Sequence, residues 1–159
     1  MKLNESILII LLRNKNGLSL QKNTPVIYPQ SAVIPFRFQH GNLEVLLITA
    51  RSGKRWIIPK GIIEDGLSPE QSAEQEAFEE AGIRGTVFPN SIGEYRYHKW
   101  GGTCTVQVYV IKVEEVLLEW PEAQVRERRW VGLEEAKKLV EENALKNMFQ
   151  ELTAFLSKN

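Results

Sequence analysis

The spacing of apolar and polar positions changes along the chain. From residue 31, "SAVIPFRF" and "LEVLLITA" are apolar-rich runs of strand length, and the Gly-Asn of "QHGN" between them supplies a tight reversal. This predicts two antiparallel strands. "RSGKRWIIPKG" follows as a basic loop, a short apolar strand and a Pro-Lys-Gly turn. The period then becomes helical. Ser68 stands three residues before Gln71 in a capping box, Pro69 suits a first helical residue, and Gly82 supplies a stop. A helix over residues 69–81 is expected. Beyond it, "GTVFPNSIGEYRYHKW" and "GTCTVQVYVIKVEEVL" read as β-rich segments around a turn at Gly101-Gly102. "EEAKKLVEENALKNMFQELTAFLSK" carries helical spacing in one long or two short helices.

Residues 1–30 are less regular. An apolar run of six and a polar turn at "RNKNG" precede "TPVIYPQ", whose prolines disfavour a central strand. They are read as an N-terminal extension, an edge strand or an arm packing on a partner, ahead of a domain over residues 31–159. Strands interleaved with two or three helices favour the α/β class, an α/β sandwich on a mixed sheet. With 159 residues and 43% hydrophobic content, a single core is expected.

Charge changes the picture locally rather than globally. Lys plus Arg and Asp plus Glu number 20 each, which argues against a nucleic-acid-coating surface. Residues 64–83, however, hold seven acids and no base. Cys104 is the lone cysteine, so an intrachain disulfide and a cysteine zinc cage are excluded. In "TCTVQVYVI" it reads as a buried core thiol, in keeping with a reducing cytoplasm. The six-residue apolar run is too short to cross a membrane and poor as a signal peptide, so no membrane partner is expected.

On the expected helix, Glu76, Glu79 and Glu80 stand at i, i+3 and i+4, within a sector of about 100°. Ala73, Ala77 and Ala81 form an adjoining small-residue stripe that lets the helix approach a sheet. A solvated acidic face is the plain alternative. Two features oppose it: no lysine at i+4 offsets the glutamates, and Glu79 and Glu80 lie in the C-terminal turn, where the helix dipole disfavours anions. A divalent cation would answer both, and all-oxygen ligation selects a hard ion such as Mg²⁺.

These residues resemble the signature of the Nudix hydrolases, with Gly61, Glu76, Ala77, Glu79, Glu80, Gly82 and Ile83 in register. Leu67 replaces its first Glu, and Gln75 replaces its Arg; both departures fall on side chains that largely buttress the loop-helix geometry in that family. Losing both removes an ion pair without stranding one charge. The resemblance implies the Nudix α/β/α fold on a mixed sheet and hydrolysis of a pyrophosphate linkage. It implies that the Gly61 carbonyl, Glu76, Glu79 and Glu80 hold Mg²⁺ or Mn²⁺, and that a glutamate, assigned here to Glu79, acts as general base.

The flanks are similar to the diphosphoinositol polyphosphate phosphohydrolase branch, whose members also split diadenosine polyphosphates. A phosphate-rich substrate calls for a cationic rim, and Arg51, Lys54, Arg55 and Lys60 supply four charges within ten residues. Strand alternation is expected to place Arg96, His98 and Trp100 on one face, where cations meet phosphate and an indole stacks on adenine; the outer face of a sheet is the alternative. Arg126, Arg128 and Arg129 are read either as substrate contacts or as structural partners of Glu122 and Glu127. Trp56, Trp120 and Trp130 are read as packing residues. The function expected is a metal-dependent pyrophosphohydrolase acting on polyphosphorylated small molecules. Hydrolysis of ADP-ribose, nucleotide sugars or nucleoside triphosphates, and non-catalytic binding of nucleotides or RNA ends, are the alternatives. A homodimer through residues 1–30 or the C-terminal helix is compatible with the sequence.

Overall fold

The structure, a computed structural model, describes residues 10–14, 17–21 and 25–159. The start of the apolar run and the tip of the "RNKNG" turn lie outside the described residues. β1 (Ile10–Asn14) and β2 (Gly17–Gln21) pair antiparallel in a sheet of their own. The remaining strands are β3 (Ile27–Gln39), β4 (Asn42–Thr49), β5 (Trp56–Ile57), β6 (Lys60–Ile62), β7 (Ile83–Val87), β8 (Gly93–Lys99), β9 (Gly102–Val116) and β10 (Arg128–Gly132). The helices are α1 (Pro69–Ala81), α2 (Leu133–Leu139) and α3 (Asn143–Lys158).

The mixed sheet runs β10-β4-β3-β9-β7, with β5 on β4, β6 on β3 and β8 on β9. Only β3 and β9 among these pairs are parallel. Strand alternation sends successive side chains into two cores, which explains why the central strands read as continuous apolar runs. Val33, Leu46, Ile48, Tyr109 and Ile111 face α1, which presents Ala73, Ala77 and Ala81. Ala32, Ile34, Val45, Leu47, Val108 and Val110 face the other way, toward Ala136, Leu145, Phe149 and Leu152 of α2 and α3. The small-residue stripe thus brings α1 against the sheet, and α1 carries the capping box, the Pro start and the left-handed Gly82 stop expected of it.

Contrary to expectation, the prolines of "TPVIYPQ" do not keep this segment out of the centre of the sheet. It enters β3, a central strand that begins at Ile27 and holds both Pro29 and Pro35. The Pro29 carbonyl accepts from the Ile63 N–H and the Val33 N–H donates to the Pro59 carbonyl. These odd-numbered positions of β3 therefore direct their backbone groups away from β9. Pro29 lies one residue before the β6 ladder starts at Gln30, and Pro35 lies between its end at Ala32 and the β4 ladder at Phe36. Each proline therefore sits beyond a β6 or β4 ladder end rather than within that ladder.

Both hairpin reversals come one residue earlier than expected. Gln39 pairs with Asn42 and Lys99 with Gly102, leaving His40-Gly41 and Trp100-Gly101 as two-residue loops.

Candidate active site

α1 ends beside the short strand β6, and a cleft of about 630 Å³ opens there. One wall is acidic: Glu64, Glu76, Glu79, Glu80 and Glu122. The lining also holds Gln30, Arg51, Lys60, Tyr97, Lys99 and Trp100. The helical spacing thus does bring Glu76, Glu79 and Glu80 to one cleft together with Lys60 and Gly61.

Each glutamate has a different environment. Glu80 is buried; its Oε1 accepts the Lys60 backbone N–H at 2.8 Å, and its Oε2 is paired with the Arg126 guanidinium. Glu79 Oε1 accepts from Gln75 Nε2 at 2.8 Å, so the residue replacing the motif arginine holds Glu79 through a neutral bond. Glu76 rests against Gly61, where any Cβ would overlap its carboxylate. Burial, and then the charges of Glu80, Glu79, Glu122 and Glu64, push the Glu76 pKa up to about 8. Burial likewise raises Glu80, against the pull of the Lys60 N–H and of Arg126. Across the cleft, burial lowers the Lys60 pKa, and its Nζ lies 5.1 Å from the Tyr97 ring centroid. Tyr97 donates its hydroxyl to Gln30 Oε1 at 2.8 Å, which fixes that ring as a wall.

Part of the charge on α1 is answered by arginines remote in sequence. Arg126 is buried between Glu80 and Glu122 and also donates to the Thr49 carbonyl at 3.0 Å. Arg51 reaches the same Glu122 at 2.9 Å. Arg128 donates to the carbonyls of Ala81, Gly82 and Leu117, neutralising the C-terminal end of the helix dipole, and lies 3.7 Å from the Trp120 ring. α1 has no lysine of its own to offset these glutamates, but Arg126 from a distant segment offsets Glu80, while Glu76 keeps four carboxylates as its main electrostatic neighbours.

The expected cationic rim is divided. Lys60 and Arg51 line the cleft, but Arg55 is exposed and pairs with Glu141 at 3.2 Å, and Lys54 is exposed beside Ser52. Arg96 does not join it either; strand alternation turns Tyr95 and Tyr97 inward and leaves Arg96 exposed, 3.7 Å from Glu94. Trp100 separates from Arg96 and His98 because the strand ends at Lys99 and the chain reverses through it. Arg129 pairs with Glu135, and Trp56 and Trp130 pack on the two cores as expected. Glu64, Glu122 and Gln30 were not anticipated at the cleft, whereas Lys99 belongs to the basic run of "RYHK" with Arg96 and His98. Those three reach it from separate segments of the chain and carried no local signal.

Among the described residues, no group of three His, Cys, Asp or Glu side chains already stands in metal-ligand geometry. The donor chemistry nevertheless fits a hard divalent cation. Carboxylates crowd a partly buried cleft, Gly61 admits one of them to contact with the backbone, and Glu76 lacks a cationic neighbour among its main influences.

Comparison with known proteins agrees with this arrangement. Residues 27–152 match the NUDIX domain. Nudix hydrolase 21, chloroplastic, of Arabidopsis thaliana is 31% identical over 157 residues, covering 94% of this chain and 77% of the relative. Diphosphoinositol polyphosphate phosphohydrolase 3-beta of Bos taurus is 31% identical over 114 residues, 70% of this chain and 68% of the relative. Among solved structures, an Ap4A hydrolase of C. elegans superposes with a TM-score of 0.70 at 24% identity, over 82% of this chain and 99% of that one. No helix among the described residues is long and apolar enough to cross a membrane. The match over residues 27–152, on a mixed sheet that seats the glutamates of α1 beside Gly61, shows that this chain belongs to the Nudix hydrolase family, enzymes acting on pyrophosphate bonds.

Proposed function

We propose that this hydrolase is a divalent-metal-dependent pyrophosphohydrolase that cleaves a phosphoanhydride in a polyphosphorylated small molecule, a diphosphoinositol polyphosphate or a diadenosine polyphosphate. One observation carries the reading: a single cleft sets the carboxylates of α1 against Lys60 and Lys99. The names of the bovine relative and of the nematode structure support the same substrate chemistry. The buried free thiol of Cys104 supports a reducing compartment such as the cytoplasm.

The Gly61 carbonyl, Glu76, Glu79 and Glu80 are the residues that would hold Mg²⁺ or Mn²⁺. When bound, such an ion neutralises phosphoryl oxygens and lowers the pKa of a water. Glu79 is suited to take a proton because its partner is the neutral Gln75, whereas Glu80 is committed to Arg126. Lys60 and Lys99 supply the cations for the phosphate chain, and the Tyr97 ring holds Lys60 in place. Lys54 and Arg55 become a distal contribution to long, highly charged substrates.

Phosphate or nucleotide release from both substrates, with Mg²⁺ and with Mn²⁺, tests this reading in wild type and Glu80→Gln. The wild type should turn over at least one of them and the variant should lose most of that activity. Full activity in Glu80→Gln, or no turnover of any phosphoanhydride by the wild type, overturns it.

A further inference from the structure

Two hairpins reverse through the same kind of left-handed loop, and one of them does so with a residue poorly suited to it. His40-Gly41 joins β3 to β4 with φ of 50° and 80°, and Trp100-Gly101 joins β8 to β9 with φ of 54° and 68°. Loops with positive φ at both central residues favour Asn or Asp before Gly, and histidine tolerates the left-handed region, but a bulky aromatic there is an outlier. His40 is exposed, away from the cleft. Trp100 lines the cleft with Lys60, Tyr97 and Lys99. Its unfavourable conformation is fastened by the buried Tyr28, whose hydroxyl donates to the Trp100 carbonyl at 3.2 Å and whose ring meets the indole edge-on at 5.4 Å. Lys99 Nζ lies 4.7 Å from the indole centroid. Backbone strain retained at a ligand cleft and secured by a neighbouring core residue argues that the side chain it presents is used.

We propose that Trp100 determines specificity: its half-buried indole is a stacking platform for a nucleobase, while the attached phosphates extend past Lys99 and Lys60 toward the acidic wall. This rests on the pyrophosphohydrolase reading and narrows it to nucleobase-bearing polyphosphates. A purine or pyrimidine has a π face for an indole to cover; a saturated, hydroxylated ring such as inositol has none. The adjacent lysine supplies the charge that the first phosphate after the sugar requires.

The test is calorimetric binding of ADP and of inorganic pyrophosphate, in Ca²⁺, to wild type, Trp100→Asn, Trp100→Phe and His40→Asn. Asn suits the loop, so the hairpin should persist, with a thermal midpoint within about 5 °C of wild type. The ratio of ADP to pyrophosphate affinity should fall about tenfold or more in Trp100→Asn, as expected for one lost base-aromatic stack. It should recover in Trp100→Phe and stay unchanged in His40→Asn, which alters the same kind of loop away from the cleft. An equal loss for both ligands, or an unaltered ADP affinity, overturns the assignment. Absence of turnover would refute the proposed reaction, and the binding ratio would still decide the role of Trp100.

Discussion

Removing divalent metal should make the stability of this protein fall as pH rises through neutrality, and Glu76 is the reason. Its carboxyl is raised from 4.5 to about 8 by burial and by the neighbouring glutamates. A raised folded-state pKa means that the native protein binds this proton more tightly than the unfolded chain does. The stabilisation is therefore fully present below 4.5 and lost as pH rises through about 8. At 1.36 kcal/mol per pH unit, the whole difference corresponds to roughly 5 kcal/mol, of which about 2–3 kcal/mol falls between pH 6 and 8. For a domain of this size that is about 5–10 °C in thermal midpoint. The assay is thermal unfolding in EDTA across pH 6 to 8.5, for wild type and Glu76→Gln. Their difference cancels the titration of groups that the substitution leaves unaltered. The wild type should lose midpoint relative to the variant as pH rises, and Mg²⁺ should restore it most at the alkaline end, while Glu76→Gln gains little. A wild-type midpoint that holds level with the variant across this range in EDTA would refute the buried, uncompensated carboxylate on which the metal assignment depends.

Three further substitutions probe the surroundings of that carboxylate. Arg126→Met strands Glu80 in a buried position and should cost about 3–5 kcal/mol in urea unfolding; a loss below about 1 kcal/mol would mean that the pair is not formed in solution. Gly61→Ala places a methyl group on the Glu76 carboxylate and should weaken Mn²⁺ binding roughly 10–100-fold, the range for disturbed metal surroundings, with wild-type affinity as the contrary result. Ser68→Ala removes the side chain that accepts the Gln71 N–H at 3.1 Å, so about 1 kcal/mol of stability should go, read as a fall of about 2–4 °C in thermal midpoint.

What was legible in the chain was what is local. α1 was readable to both ends because its cap, first proline, alanine stripe and terminal glycine are neighbours in sequence and each acts within a turn. The carboxylate set was readable for the same reason: i, i+3 and i+4 share a face whatever lies opposite. β3 was misread because the cost of a strand proline depends on which neighbour its nitrogen faces, and that is decided by β6, β4 and β9, up to 76 residues away in the register from Ile27 to Thr103. The basic wall was half-readable. Lys60 is fixed by adjacency to Gly61, but Arg96 and Trp100 were assigned one face by strand alternation, which ceases to apply where the strand ends at Lys99.

The variant motif acquires a physical account from these long-range contacts. A motif with Gln75 and Leu67 in place of Arg and Glu has lost one internal pair, and the remaining glutamates still need to be held against mutual repulsion. Gln75 does this for Glu79 at no charge cost, since a neutral amide fixes the carboxylate without competing for a cation. Glu80 is held differently, by the Lys60 N–H on one oxygen and Arg126 on the other, and Arg126 is itself shared with Glu122, which Arg51 also engages. Alternating charges therefore run from α1 to the basic loop. Within that chain Glu80 and Glu122 have protein counter-ions, whereas Glu76 has Gly61 beside it and carboxylates around it. The carboxylates left without a protein counter-ion, Glu76 and the amide-held Glu79, both line the cleft, which is the distribution a site for a hard cation requires and one that a merely solvated acidic helix face has no reason to adopt.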